Sequence, residues 1–181
     1  MRKAIRYTIF GTKWGYFGLV GDEEGILRSC LPVAERDSVK YRLLKDLGSG
    51  EFESGLYKDL QGEISLYFEG GYVNFGRDIA VLLDGFRPFG KRVLRACRDV
   101  KYGETISYGG LATKAGRAGA GRAVGQVLAR NPVPLIIPCH RVICADGRLG
   151  GFSAAGGLKL KKRLLELEKE GGFLGQKRGS R

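Results

Sequence analysis

The sequence predicts two domains: an α/β N-terminal domain over residues 1–84 and a mainly helical C-terminal domain over residues 85–171, with a Gly-rich basic tail at 172–181. Three observations carry that division. Up to about residue 84, short apolar runs bounded by Gly and Pro alternate with stretches of four-residue apolar spacing, the mixed periods of an α/β region. Past the loop "GFRPFG", apolar residues recur mainly at helical spacing. Two short helical stretches there flank a Gly-rich turn, the pattern of a helix-turn-helix.

Taken in order, "AIRYTIFG" and "YFGLVG" read as strands joined by a Gly-Thr-Lys-Trp turn, and "GILRSCL" as a third strand ended by Pro32. A helix is expected over 35–47, with Val39, Leu43, Leu44 and Leu47 on one face. "SGEFESG" reads as a loop. A second helix is expected over 55–69, with Leu56, Leu60, Ile64 and Phe68 at four-residue spacing, and "IAVLLD" at 79–84 as an apolar strand. In the second half, Phe89, Val93, Leu94 and Cys97 share a helical face. Ser107 is a candidate N-cap for a short helix that Gly116 ends. "GAGRAVGQVLARNP" is a second short helix, stopped before Pro132. "GGLKLKKRLLELEKE" is the last, with Leu158, Leu160, Leu164, Leu165 and Leu167 over about half its circumference.

Composition narrows the classes of function. Apolar residues are 43% and charged residues 28% of the chain, ordinary for a globular protein. No uncharged apolar run is long enough for a membrane span, and the basic start has no signal-peptide core, so the chain reads as intracellular and soluble, with no membrane partner. The net charge of +12, from 31 Lys and Arg against 19 Asp and Glu, favours a polyanionic partner over a generally basic surface by a small margin. Cys30, Cys97, Cys139 and Cys144 form no CxxC pair, and a single histidine does not complete a zinc set, so no metal is expected. Cys30, Cys97 and Cys144 read as core thiols. One methionine and few amide side chains point to a thermophilic source.

Three places carry candidate chemistry. "NPVPLIIPCHRVI" sets the only histidine, His140, directly after Cys139. A thiolate is a strong nucleophile and an imidazole is the usual acceptor of its proton. A bare Cys-His dipeptide is nevertheless more often a buried thiol beside a surface imidazole. Glu168 falls near the middle of the apolar arc of the last helix, with Lys161 close to it. An inward carboxylate there needs a partner, and histidine is suitable; a Glu168 that reaches solvent at the helix end fits the pattern equally. Arg122, between Gly121 and Ala123 and with Gly125 one turn on, is a long cation on a small-residue helix surface. It could enter a duplex, although on this segment alone close helix packing with a solvated Arg is the commoner arrangement.

Together "YGETISYGGLA", "GRAVGQVLARNPVPLIIPCHRVI", "GRLGGFS" and "GGLKLKKRLLELE" resemble the O6-alkylguanine-DNA alkyltransferase family of suicidal DNA-repair proteins. The resemblance covers most of residues 84–170. It implies an RNase H-like N-terminal domain and a winged-helix-like C-terminal domain whose helix-turn-helix binds the minor groove. It implies base flipping, then irreversible, single-turnover transfer of an alkyl group from guanine O6 in double-stranded DNA to Cys139. His140 would deprotonate the thiol through a water, and Glu168 would orient His140. Tyr108 would donate to guanine N3, and Arg122 would fill the gap in the base stack, with Gly121, Ala123 and Gly125 beside it on the DNA. Asn131 would be the hinge between the recognition helix and an active-site strand. Ser153, Phe152, Lys161 and Pro134 would belong to the substrate pocket. No cofactor is implied. The protein would act as a monomer in the cytoplasm with the nucleoid, or in a eukaryotic nucleus. Phe152 stands where many members have tyrosine, Ala154 and Ala155 lengthen the next loop, and the missing histidines argue against the N-terminal zinc site of some members.

Three other classes compete. A lesion-binding module without transfer would lack the acceptor cysteine. A Cys-His hydrolase would turn over and would leave the "RAVG" helix unexplained. A basic winged-helix regulator would bind by sequence and ignore lesions.

Overall fold

The computed structural model describes residues 4–178, with side chains as far as Gly171. The chain divides into two units between Leu82 and Leu83.

The first unit is built on a four-stranded sheet in the order β3-β2-β1-β4. Strands β1 (Arg6–Thr12), β2 (Gly15–Asp22) and β3 (Gly25–Val33) form an antiparallel meander. The first turn is tied by the Thr12 hydroxyl, which donates to Gly15 O and accepts from the Trp14 N–H. Helix α1 (Arg36–Leu44) lays Val39 and Leu43 over β2, and in the turn that follows it Asp46 takes a φ of +66°. It comes so close to Gly18 that a Cβ there would clash with the side chains of Val39 and Leu43. The core under it is Tyr7, Ile9, Val20, Cys30, Val39 and Leu43. Helix α2 (Lys58–Phe68) contributes buried Leu60, Ile64, Tyr67 and Phe68, the last against Phe17 and Trp14.

Four expectations change here. Strand β3 runs through Pro32 instead of stopping at it, because β3 is an edge strand and Pro32 lies at a register shift, where its missing N–H costs no ladder bond. The loop at 49–55 contains a two-residue strand, β4 (Glu51–Phe52), parallel to β1. Helix α2 starts at Lys58, since Tyr57 sits in the left-handed region (φ 55°). Residues 79–84 form one bridge, Ile26 with Val81, in place of a strand.

The second unit is mainly helical. Helix α3 (Pro88–Arg98) begins inside the expected loop, because proline is well suited to a first helical turn. It buries Val93, Leu94 and Cys97. Helix α4 (Tyr108–Lys114) is capped by the Ser107 hydroxyl, which accepts from the Gly110 N–H at 3.0 Å. It ends in a Schellman motif: Gly116 (φ 78°) donates to Thr113 O and Arg117 to Ala112 O, both at 2.9 Å. Helix α5 (Gly121–Leu128) follows and buries Val124, Val127 and Leu128, completing the helix-turn-helix. Two short strands, β5 (Ile106–Ser107) and β6 (Val142–Ile143), pair in parallel and bring the start of α4 beside the segment after His140.

Helix α6 is described over Gly157–Arg178, so it continues well into the segment read as a tail; the side chains beyond Gly171 and residues 179–181 lie outside the described residues. Its buried stripe is Lys161, Leu164, Glu168 and Gly171, whereas Leu158 is 51% exposed. The inward face thus follows the middle of the leucine arc, where Glu168 and Lys161 fall, and leaves Leu158 at its exposed edge. Among the described residues no helix is long and apolar enough to cross a membrane, and no group of His, Cys, Asp and Glu side chains is placed to hold a metal ion.

Candidate active site

Residues 131–138 connect α5 to a 3-10 turn, Cys139–Arg141, as irregular turns instead of the expected strand. Asn131 clamps this segment: its Nδ2 donates to Ile137 O (2.8 Å) and its Oδ1 accepts from the Val133 N–H (3.1 Å). Leu135 is buried with φ of +80°, a conformation that costs a branched side chain about 1–3 kcal/mol and is tolerated only where the surroundings enforce it. Pro138 (φ −81°, ψ 65°) is the centre of an inverse γ-turn, closed by the Cys139 N–H donating to Ile137 O at 2.8 Å. Proline's fixed φ suits that turn.

The turn sends two adjacent side chains to different surroundings. Cys139, 8% exposed, reaches the wall of a cavity of about 680 Å³. His140, 1% exposed, meets α6, where its Nε2 donates to Glu168 Oε1 at 2.7 Å. Glu168 is equally buried and also accepts from the Gly103 N–H at 3.0 Å. Arg141 completes the group: Nε reaches both carboxylate oxygens (3.1 and 3.0 Å), Nη2 reaches Oε1 (2.9 Å), and Nη1 donates to Val100 O (2.6 Å).

The electrostatics follow from this arrangement. Burial alone would push the Glu168 carboxyl up, but hydrogen bonds and charge from His140 and Arg141 outweigh it and hold the group at about 2. Burial pushes His140 down; Glu168 pulls it back up, while Arg141 and Lys161 oppose its protonation, and the net shift is downward. At neutral pH the ring is therefore neutral beside an ionised carboxylate, with the proton on Nε2 and the lone pair on Nδ1. Burial likewise pushes the Cys139 thiol up, against the opposing pull of Asn131, Lys161 and the local backbone N–H groups. At rest it is a thiol that needs a base.

Lys161 is fully buried, and its Nζ donates to Val142 O (2.6 Å) and Gly151 O (3.2 Å). It thereby ties the strand after the active turn to the loop over the cavity. Burial lowers its pKa, and the thiols of Cys139, Cys144 and Cys97 raise it.

Tyr108, the first residue of α4, lines the cavity; its hydroxyl lies 3.5 Å from Gly151 O, and Lys161 Nζ is 5.8 Å from its ring centroid. Gly150 (φ 70°) lies against it, and a Cβ there would come within 2.7 Å of the Tyr108 oxygen. Gly121 and Gly125 of α5 also face Tyr108, each with room for a Cβ at ordinary contact distance, 3.7 and 3.8 Å.

Of the residues named from sequence, Cys139, Tyr108, Gly121, Arg122, Gly125, Phe152 and Ser153 line the cavity. Arg122 is exposed at its edge. His140, Glu168 and Lys161 stand behind the wall, and Asn131 braces the turn. Among the described residues, Ala123 and Pro134 are outside the wall: Ala123 is half-buried on α5, and Pro134 forms an isolated bridge with Ile137. Ala154 O accepts from the Gly157 N–H at 2.9 Å, turning the lengthened loop into α6. Three participants went unassigned. Cys144, read as core, is only half-buried and shares the cavity wall with Cys139. Gly150 is legible only once Tyr108 is seen against it. Arg141 had a signal in its adjacency to His140, but only the fold brings it to Glu168.

Residues 88–170 match the model of the 6-O-methylguanine DNA methyltransferase DNA binding domain. The methylated-DNA–protein-cysteine methyltransferase of Methanosarcina acetivorans is 35% identical over 167 residues, covering 90% of this chain and 97% of the relative. That of Mycobacterium leprae is 42% identical over 117 residues, 65% of this chain and 68% of the relative. Among solved structures, Mycobacterium tuberculosis OGT in complex with DNA superposes with a TM-score of 0.76 at 31% identity, covering 92% of this chain and 94% of that one. The O6-methylguanine-DNA methyltransferase of Pyrococcus kodakaraensis gives 0.68 at 26% identity, covering 91% and 98%.

Proposed function

The chain belongs to the methylated-DNA–protein-cysteine methyltransferase family, and on that footing we propose that it repairs O6-alkylguanine in double-stranded DNA by irreversible transfer of the alkyl group to Cys139, once per molecule. The helix-turn-helix of α4 and α5 enters the minor groove, and binding to the phosphate backbone weakens as salt rises. Arg122 fills the gap left by the lesion, and the flipped base enters the cavity beside Tyr108.

The proton of Cys139 passes through a bridging water to His140, which Glu168 orients. The thiolate attacks the alkyl carbon, a C–S bond forms as the C–O6 bond breaks, and the electron pair leaves on guanine. Tyr108 meets the developing charge at N3 by donating a hydrogen bond or proton. The product is a neutral thioether, and no group in the site regenerates the thiol. The observation that carries this reading is the buried 2.7 Å contact between His140 and Glu168, directly behind a thiol on the cavity wall. A solvated histidine would have supported the bland reading of the dipeptide. The single-use reaction asks for no second subunit, so the protein acts as a monomer. Its substrate is met in the cytoplasm with the nucleoid, or in a eukaryotic nucleus.

Cys139→Ser tests the assignment. The variant should bind a duplex containing one O6-methylguanine and leave the lesion in place, whereas the parent protein clears one lesion per molecule. Continued demethylation by Cys139→Ser would move the acceptor elsewhere and end this reading.

A further inference from the structure

A buried carboxylate 2.7 Å from an imidazole poses a problem for any mechanism that needs that imidazole as a base. Opposite charges at such a distance, out of water, favour the charged form of each. Beside Glu168 without a counter-charge, His140 would be drawn towards the imidazolium against the push of burial, and an imidazolium has no lone pair to accept a thiol proton. The fold supplies the remedy on the same carboxylate. Arg141, 3% exposed, puts three N–H···O contacts of 2.9 to 3.1 Å on Glu168, while its fourth contact, to Val100 O at 2.6 Å, fixes the plane of the guanidinium. The other charged group acting at His140 is Lys161 from α6, which opposes ring protonation, and the Cys139 thiol is its titratable neighbour on the same turn.

We propose that Arg141 is a positioning residue for alkyl transfer: its forked grip balances the charge of Glu168 and fixes its direction, so that Glu168 orients His140 without holding it as a permanent ion-pair partner. The inference rests on the reading of His140 as the proton acceptor. It separates two tasks that a His-Glu pair alone confuses. The carboxylate supplies orientation, and the guanidinium cancels the charge that comes with it. A lysine would supply charge without the fork, and is not equivalent.

The test uses the full chain and a duplex containing one O6-methylguanine. Single-turnover transfer to Cys139 is followed from pH 5.5 to 9.5 for the parent protein, Arg141→Gln, Arg141→Lys and the double variant Arg141→Gln/Glu168→Gln. Because the chain has one histidine, the imidazole C–H resonances report its titration without assignment. In Arg141→Gln the His140 midpoint should rise by about one to three units. Transfer at pH 7 should fall about 10- to 100-fold, in line with the loss of neutral ring, and recover at higher pH. Arg141→Lys should lie between, and it carries the test if the glutamine variant fails to fold. The double variant removes both charges; its midpoint should return to the parent value or below, and it should outpace Arg141→Gln at pH 7. A uniform loss at every pH with an unmoved midpoint, or a double variant no faster than the single, would overturn the inference and leave Arg141 a packing residue. A parent profile that ignores the His140 midpoint would instead remove His140 as acceptor, a failure visible before any variant is made.

Discussion

Of the glycines that face Tyr108, Gly150 and Gly125 should respond to the same methyl group in opposite ways. At Gly150 a Cβ would lie 2.7 Å from the tyrosine oxygen, 2.8 Å from Cε2 and 3.1 Å from Cζ, and φ is +70°. Carbon contacts are comfortable only beyond about 3.5 Å, so the phenol must retreat by most of an ångström or the loop must lift. An alanine in the left-handed region adds about 1–2 kcal/mol. At Gly125, inside α5, a Cβ would lie 3.8 Å from Cε1, an ordinary contact, and alanine there should gain about 0.5–1 kcal/mol of helix stability. If Tyr108 donates to the departing guanine, displacing it forfeits a hydrogen bond to a charged group, about 1.5–3 kcal/mol. Gly150→Ala should therefore slow single-turnover transfer at saturating duplex about 10- to 100-fold and lower the melting temperature. Gly125→Ala should hold the rate within about threefold and melt no earlier. Parent-like transfer by Gly150→Ala would refute the claim that the loop over the cavity sets the position of Tyr108.

Acidification should destabilise the second unit in two stages. The folded-state pKa of His140 lies below its usual 6.5, so its contribution is present above 6.5 and is lost as pH falls from there through the lower folded-state value; Glu168, held at about 2 against 4.5, then loses about 3 kcal/mol as pH drops from about 4.5 towards 2. Urea midpoints measured from pH 7 to 2 check this, and Glu168→Gln should remove the lower stage. Ser107→Ala deletes the cap of α4 and should cost about 1 kcal/mol, read as a drop of a few degrees in Tm by calorimetry. Exposed Arg122 should be dispensable for stability but not for repair: Arg122→Ala should melt within about a degree of the parent. Its transfer from duplex DNA should be about 10- to 100-fold slower, the cost of unstacking a base without a substitute.

Local patterns revealed much of the fold. The β1–β2 hairpin, the Ser107 cap and the Gly116 stop are short-range devices, fixed by residues within a few positions of each other. What stayed hidden depends on partners distant in sequence. Strand β4 is two residues long and exists only because β1 lies beside it. The end of β3 needed its edge position to accommodate Pro32. The leucine arc of α6 placed Glu168 near its middle with Lys161 close by, and both are buried there, but the carbonyls, His140 and Arg141 that receive them come from segments distant in sequence. The same logic governs the site. Cys139 and His140 are prominent in sequence, but their divergence at the Pro138 turn, the role of Arg141, and Cys144 on the cavity wall are products of three-dimensional structure.

The central claim is that one thiol of four takes the alkyl group and is consumed. Equimolar protein and a duplex containing one O6-methylguanine, followed by digestion and peptide mass measurement, test it directly. The account predicts one added CH2 on the peptide holding Cys139, none on those holding Cys30, Cys97 or Cys144, and no further repair when more substrate is supplied. A methyl group on Cys144, its neighbour on the cavity wall, or repair continuing past one lesion per molecule, would contradict it.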